Sequence, residues 1–230
     1  LPWAEQWAIY STLNFDLAST DPANSTARRC HMNTFNCPDS SPGRSGWGRT
    51  SILPIGWSTP PLEYGRSSYV ACHHEVEKAI DADDHGVFFL NSRVARRDLV
   101  DGPAFTILAG EVRSSITYGG WAIGTAATLR NAGWNINGEG SPDFALAQRV
   151  RSGQIRGNGR DFDPVVLQSM IESGELTADV VGGFGSAHAT GANFLFGDGS
   201  VRFLKDKISR RVLQALAHRA DGEIVDGDAY

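Results

Sequence analysis

The stretch GSAHATGANFLFGDGSVRFL, residues 185–204, contains a pattern that predicts a β-hairpin. Asp198-Gly199 lies between two short apolar runs, and this dipeptide is typical of a two-residue turn with positive φ. Such a turn sets the register of the strands, so Leu195 and Arg202 are expected on one face of the ribbon. The pairs expected on the other face are Phe194 with Phe203 and Phe196 with Val201.

Further strands and helices follow from the spacing of apolar residues outside this hairpin. β-Branched and aromatic residues favour strands, whereas apolar residues on one helical face favour amphipathic helices. The predicted strands cover residues 87–90, 105–112 and 121–129. The predicted helices cover residues 3–13, 164–173 and 207–219, the last with Asp206 as its N-cap.

Together these elements predict an α+β fold, with an antiparallel sheet, flanking helices and long loops. Residues 16–66 and 131–160 are rich in Gly and polar turn-forming residues, which indicates two loop-rich insertions. With 230 residues, 41% of them hydrophobic, the chain can form a substantial core. We therefore expect a single domain over residues 1–230.

Composition and charge exclude some classes of protein. The net charge is -5, and 20% of the residues are charged. The clusters of basic residues, such as Arg96-Arg97, are short, so a nucleic-acid partner is not expected. The sequence also contains no run of about 18 apolar residues that could form a transmembrane helix.

The three cysteines, Cys30, Cys37 and Cys72, form no Cys-x-x-Cys pair. This spacing gives no support to a zinc or thioredoxin-type site. In an oxidising compartment two of the three could pair in a disulfide, which leaves one thiol over. The residues alone leave the pairing open.

Two clusters of polar residues have metal-site features. Residues 81–86 resemble the start of a calcium loop, but Ser92 stands where a bidentate Glu belongs, which favours a solvated acidic turn. His73-His74 is followed by Glu75 and Glu77, yet adjacent residues of a strand point to opposite faces, which favours surface polar residues. No nucleophile with a base at a recognised spacing is present, so no enzyme activity is expected.

Several motifs in order resemble bacterial prepilin-like proteins, related to type IV pilins and type II secretion pseudopilins, that carry a C-terminal His-(nine residues)-Asp-Gly signature. His188, Asp198 and Gly199 match that signature. The family's C-terminal region is also labelled an extracellular solute-binding family. The other matching blocks are Leu1–Gln6 with Asn14-Phe15, Phe35–Asp39, Ser68–Val70, Gly86–Phe89, Asp98–Gly102, Thr106–Glu111 and Gly222–Ile224.

The resemblance implies a pilin-like globular head that acts as a structural subunit of a pilus-like or pseudopilus-like assembly. Its partners would be identical filament subunits and the inner membrane, reached through an N-terminal prepilin helix that this chain lacks. The location would be the cell envelope, periplasmic or extracellular, with membrane anchoring before assembly. The alternative is an extracellular solute- or saccharide-binding module, with loop tryptophans at positions 47, 57, 121 and 134 holding the ligand.

The resemblance also implies particular site residues. An envelope location favours a disulfide that involves Cys37, with Cys72 as the preferred partner and Cys30 as the alternative. Some related pseudopilin heads bind calcium, so the acidic residues of the matched blocks form a hypothetical calcium site. Its oxygen ligands would be Asp101, Glu111 and Asp198.

His188 is expected to have a structural role, as are Asp198 and Gly199 of the same signature. The histidine precedes the hairpin, so its imidazole can hydrogen-bond backbone or a carboxylate near the base of the ribbon. A solvent-exposed histidine at the floor of a cleft, beside a serine, a cysteine or a bound metal, would instead favour an enzyme.

Overall fold

The computed structural model describes residues 1–39, 64–112, 120–122, 128–138, 180–223 and 225–227. Within these ranges, five strands form one sheet in the order β3-β1-β2-β4-β5. The strands are β1 (Tyr69–His74), β2 (Ile107–Glu111), β3 (Leu129–Asn131), β4 (Gly191–Phe196) and β5 (Val201–Lys205). The α+β fold class is confirmed. The sheet is antiparallel except that β3 runs parallel to β1.

The helices of the described residues are short. They are α1 (Trp7–Tyr10), α2 (Ser25–Arg28), α3 (Arg210–Ala217) and 3-10 turns at Pro2–Ala4, Pro22–Asn24, Asn33–Phe35, Arg96–Asp98 and Pro103–Phe105. No helix in this part of the chain is long and apolar enough to cross a membrane. The predicted helix at 3–13 is reduced to one 3-10 turn and α1, because Glu5 between them adopts a left-handed φ of 57°. The predicted helix at 164–173 lies outside the described residues.

Helix α3 begins later than the sequence predicted. Ser209 is its N-cap, and the Ser209 hydroxyl accepts a hydrogen bond from the Val212 N–H at 3.2 Å. Asp206 is not the cap, because it belongs to the turn that leaves β5, where its N–H bonds to the Thr190 carbonyl. The helix ends at Ala217, before the predicted end at residue 219.

The core lies between one face of the sheet and α3. Phe194, Phe196 and Leu204 are fully buried, and they belong to the same apolar cluster as Leu213 and Leu216 of α3. Each such side chain contributes about 1.5–3 kcal/mol when it leaves water. Phe194 also approaches Phe184 edge to face, with ring centroids 5.1 Å apart. These contacts fix which face of the sheet points away from α3 and toward the site.

The hairpin forms where the sequence predicted it, but its register differs by one residue. Phe194 pairs with Arg202, and Leu195 pairs with Val201, so the loop contains residues 197–199. Gly199 has a φ of +86° and its N–H bonds to the Phe196 carbonyl. Because one extra loop residue exchanges the faces of the second strand, the predicted Phe196–Val201 and Phe194–Phe203 pairs are wrong.

Two strand predictions also need correction. Residues 87–90 form no strand: Val87 is buried, but Phe88 and Leu90 are exposed. The Arg219 guanidinium holds the residues just before this segment, by hydrogen bonds to the Asp84 and Gly86 carbonyls. Of the described residues within 121–129, only Leu129 joins a strand, because β3 begins there; residues 123–127 lie outside the described residues. The strand predicted at 105–112 is present as β2 but is shorter, Ile107–Glu111, because Phe105 belongs to the 3-10 turn before it.

Candidate functional site at His188

A buried carboxylate at the end of β2 forms the base of the candidate site. Gly110, its neighbour, faces the Phe194 ring in the core, so the Glu111 side chain lies on the opposite face of the sheet. Glu111 is only 2% exposed. Its Oε2 accepts hydrogen bonds from the backbone N–H of Asn193 at 2.8 Å and from Asn193 Nδ2 at 3.3 Å. The second oxygen, Oε1, is left to face His188.

His188 lies above this carboxylate and contacts three acidic or sulfur-bearing side chains. Its Nε2 is 3.3 Å from Glu111 Oε1 and 3.5 Å from Cys37 Sγ. Its Nδ1 is 2.9 Å from Asp39 Oδ2. The imidazole is 25% exposed, and the Phe203 ring meets it edge on with centroids 6.4 Å apart. The histidine therefore connects the N-terminal part of the chain to the sheet.

Local backbone contacts hold both approaching segments. The Ser186 hydroxyl accepts a hydrogen bond from the His188 N–H at 3.2 Å, and Ser186 N–H donates to Asn137 Oδ1 at 2.8 Å. On the other side, Cys37 follows the 3-10 turn that ends at Phe35, and the Ser68 N–H donates to the Phe35 carbonyl at 2.7 Å. Because the two segments are anchored independently, the side chains meet in a defined geometry.

The electrostatics of the site favour a cation. The imidazole of His188 lies between two carboxylates, with Nδ1 2.9 Å from Asp39 and Nε2 3.3 Å from Glu111 Oε1. Tyr69, which pairs with Glu111 across β1 and β2, has its pKa raised by burial and then by the negative charges of Cys37 and Glu111. Cys37 and Glu111 thus lie together on the Nε2 side of the imidazole.

Two kinds of chemistry use this set of groups. Cys37, Glu111 and His188 place a sulfur, an oxygen and a nitrogen within 4.8 Å of one another, which suits a transition metal. The Cys37–His188–Asp39 order also resembles a thiol, a base and an orienting carboxylate. Sequence reasoning missed Cys37 as a neighbour of His188, because 151 residues separate the two.

The hypothetical calcium ligands do not come together in the structure. Asp101 accepts hydrogen bonds from the N–H groups of Asp221 and Gly222 at 2.9 and 2.7 Å. Asp198 is in the hairpin turn, where bonds from Ser200 lower the pKa of its carboxyl. Among the described residues, Glu111 joins a different cluster from Asp101, and Asp198 joins none. The three-residue calcium site is therefore wrong.

The expected disulfide is also absent from the structure, in which Cys30, Cys37 and Cys72 are free thiols. Cys37 lies beside His188 on the site face. Cys72 is fully buried in the core, 3.9 Å from the His74 and Ala217 carbonyls, and burial raises the pKa of its thiol to about 12. The Cys37–Cys72 pairing is wrong because β1 directs Cys72 to the opposite face, and Cys30 is not bonded to either.

The two adjacent histidines of β1 are not surface residues. His73 and its partner Asp84 are both fully buried, with Nδ1 and Oδ2 2.8 Å apart. His74 is buried as well, stacks on His85 with centroids 4.6 Å apart, and lies 3.1 Å from a Glu75 oxygen. His74, Glu75 and His85 thus form a second cluster of ligand-type atoms, which contains no thiol.

An apolar cavity of about 550 Å³ lies between the N-terminal segment and the loops beside the sheet. Its lining includes Tyr10, Leu13, Phe15, Phe35 and Trp121. Trp121 is one of the four tryptophans considered for a binding module. Trp134 instead donates its indole N–H to Glu77, and positions 47 and 57 lie outside the described residues.

His188 thus lies in a site that is formed by side chains from separate segments of the chain. A family model also covers nearly the whole chain. The model SBP_bac_10, described as "Protein of unknown function (DUF1559)", matches residues 1–211. The chain belongs to this family. Its label agrees with the solute-binding label of the resembling proteins and favours an extracellular or envelope location. Neither a curated protein nor a solved structure matches the chain.

Proposed function

We propose that this protein is a structural subunit of a pilus-like or pseudopilus-like assembly on the cell envelope. Membership of the family over residues 1–211 supports this, together with the signature residues that resemble prepilin-like proteins. The α+β head, with one sheet backed by α3, is compatible with such a role. In this proposal the protein acts by assembly and catalyses no reaction.

The observation that carries the proposal is an exposed aromatic surface at the N-terminal end of the head. Trp3 is fully exposed, Trp7 is 64% exposed and Phe15 is 66% exposed. The rings of Trp7, Tyr10 and Phe15 contact one another in series, with centroids 5.4 and 4.9 Å apart. Clustered exposed aromatic residues mark surfaces that contact protein or membrane. We assign this surface to contacts between identical subunits.

The site at His188 serves this function by holding the head together. Cys37 and Asp39 follow the exposed N-terminal segment, whereas Glu111 belongs to the middle of the sheet. Their contacts with His188 fix the aromatic segment to the rigid part of the domain. A rigid link of this kind keeps a subunit contact in register when subunits repeat along a filament.

The test uses cells that express the whole gene. We expect the protein in the envelope fraction, anchored in the inner membrane before assembly, and a ladder of identical subunits after chemical cross-linking. Trp7→Ser should reduce the ladder, because it removes an aromatic ring from the proposed contact. Phe88→Ser is the matched control, since Phe88 is 43% exposed but lies in a different segment. If the protein remains monomeric in every fraction after cross-linking, the proposal is contradicted.

The cavity beside the N-terminal segment supports a second candidate, an extracellular solute-binding module. A volume of about 550 Å³ is in the range of small-molecule sites. Trp121 lines it and provides a fluorescent probe. If this candidate is correct, a saccharide or apolar solute from a panel changes the tryptophan emission of the wild type and raises its melting temperature, and Phe35→Ala weakens both effects.

A further inference from the structure

We propose that Cys37, Glu111 and His188 bind one divalent transition metal ion, with zinc as the metal best suited to these ligands. Cys37 supplies Sγ, Glu111 supplies Oε1 and His188 supplies Nε2. Asp39 orients the imidazole from the outer side. This inference is independent of assembly, because it concerns what the site binds and leaves open what the whole protein does.

Two distances, from His188 Nε2 to the sulfur and to the carboxylate oxygen, match a tetrahedral zinc site, and the sulfur and a Glu111 oxygen lie within 4.8 Å of each other. Zinc bonds of about 2.3 Å to sulfur and about 2.0–2.1 Å to nitrogen or oxygen place tetrahedral ligands about 3.5 Å apart for S···N and about 3.3 Å apart for N···O. The structure has 3.5 Å between Cys37 Sγ and His188 Nε2, and 3.3 Å between His188 Nε2 and Glu111 Oε1. A direct charged N–H···O bond is shorter, about 2.7–2.9 Å.

The hydrogen bonds around the site leave one atom of each of two side chains available to a metal. Asp39 Oδ2 lies 2.9 Å from His188 Nδ1 and can accept the Nδ1 proton of a metal-bound imidazole, which leaves Nε2 as the ligand nitrogen. Asn193 occupies Glu111 Oε2, so Oε1 is the oxygen that faces inward. A carboxylate on the far nitrogen of a metal-binding histidine is a recurrent arrangement, because it sets the tautomer and raises the basicity of the ligand.

The donor set selects the class of metal. A thiolate and an imidazole suit zinc and related transition metals, whereas calcium takes oxygen ligands. Three protein ligands leave a fourth position for water or another group. His188 is 25% exposed, so the site is accessible from solvent although Glu111 is buried.

The alternative use of Cys37 as a nucleophile fits the surroundings less well. Cys37 is 4% exposed, which restricts the approach of a substrate. A Glu111 oxygen also lies within 4.8 Å of the sulfur, so a metal ion between them can contact both groups at once.

Cobalt(II) titration of the reduced wild-type chain tests the proposal. We expect one equivalent to give a thiolate-to-cobalt charge-transfer band with the visible bands of a tetrahedral ion, and zinc to displace it. Cys37→Ser should abolish the charge-transfer band. Cys30→Ser is the matched control and should retain it. Asp39→Asn should weaken binding by about 10–100-fold, since outer carboxylates have effects of this size.

Two controls separate this site from the other possibilities. The cluster of His74, Glu75 and His85 contains no thiol, so His85→Ala should leave the thiolate band unchanged. If Cys37→Ser does not fold, X-ray absorption of the zinc-loaded wild type replaces it and should show one sulfur neighbour. A folded wild type without a thiolate band, a zinc shell without sulfur, or alkylation of Cys37 that zinc does not slow overturns the proposal.

Discussion

The carboxylate of Glu77 stabilises the end of the sheet through a set of hydrogen bonds that one isosteric substitution can test. Oε1 accepts hydrogen bonds from Asn131 Nδ2 at 3.1 Å and from the Val181 N–H at 2.8 Å. The Gly182 N–H is 3.2 Å from both oxygens, and the indole N–H of Trp134 donates to Oε2. Glu77 thus joins β3 to the segment that leads toward His188.

Glu77→Gln keeps the size of the side chain but replaces one acceptor oxygen by an NH₂ group. If the remaining oxygen keeps the Asn131 and Val181 bonds, the amide nitrogen faces the Trp134 N–H. One part-buried donor without an acceptor costs about 1–3 kcal/mol. The other bonds lose their charge assistance, which adds about 1 kcal/mol. We therefore expect the free energy of unfolding to fall by about 2–4 kcal/mol.

Urea denaturation followed by tryptophan fluorescence measures this change, with circular dichroism to show that the variant is folded. Glu223→Gln is the control, because Glu223 forms an exposed ion pair with Arg211 at 3.1 Å, which contributes little. Equal unfolding free energies for Glu77→Gln and the wild type would refute the role assigned to this carboxylate.

Three further predictions concern other parts of the chain. Burial lowers the pKa of His73 and His74, so the unfolded chain takes up protons first as pH falls below about 6.5. The free energy of unfolding should therefore decrease as the pH is lowered, by up to about 1.4 kcal/mol per pH unit for each histidine. A urea midpoint that does not change with pH contradicts this. Gly199→Ala forces a side chain into a φ of +86° and should cost about 1–2 kcal/mol in thermal unfolding, whereas Gly227→Ala should cost little. Cys72, with its pKa raised to about 12, should react with iodoacetamide only after unfolding. Labelling of Cys72 in the native protein, detected by mass spectrometry, contradicts this.

Local patterns predicted the parts of the fold that depend on neighbouring residues. The hairpin at Asp198-Gly199 and the strand β2 follow from turn chemistry and from β-branched content within a few positions. The register needed more than the pattern, because the number of loop residues depends on which one adopts positive φ. Phe196 and Val201 show the consequence, since Phe196 is fully buried and Val201 is 66% exposed.

β1 was harder to predict, since it contains two histidines and a cysteine in six residues. From the sequence alone, a polar residue such as His73 is expected on the protein surface. In the fold, Asp84 is brought into contact with that imidazole and makes its burial tolerable. Burial of a polar side chain depends on a partner, and the sequence does not show which partner will be near.

The amino-acid sequence by itself determined the α+β class and the place of the hairpin, and it singled out His188 as a candidate residue. Only the tertiary structure decided what surrounds that histidine. Cys37, Glu111 and His188 come from three segments, and their meeting depends on the register of β2 with β4 and on the backbone anchors of the segments around residues 37 and 188. A pattern of nearby residues carries no information on such distances, because loop closure and core packing set them for the chain as a whole.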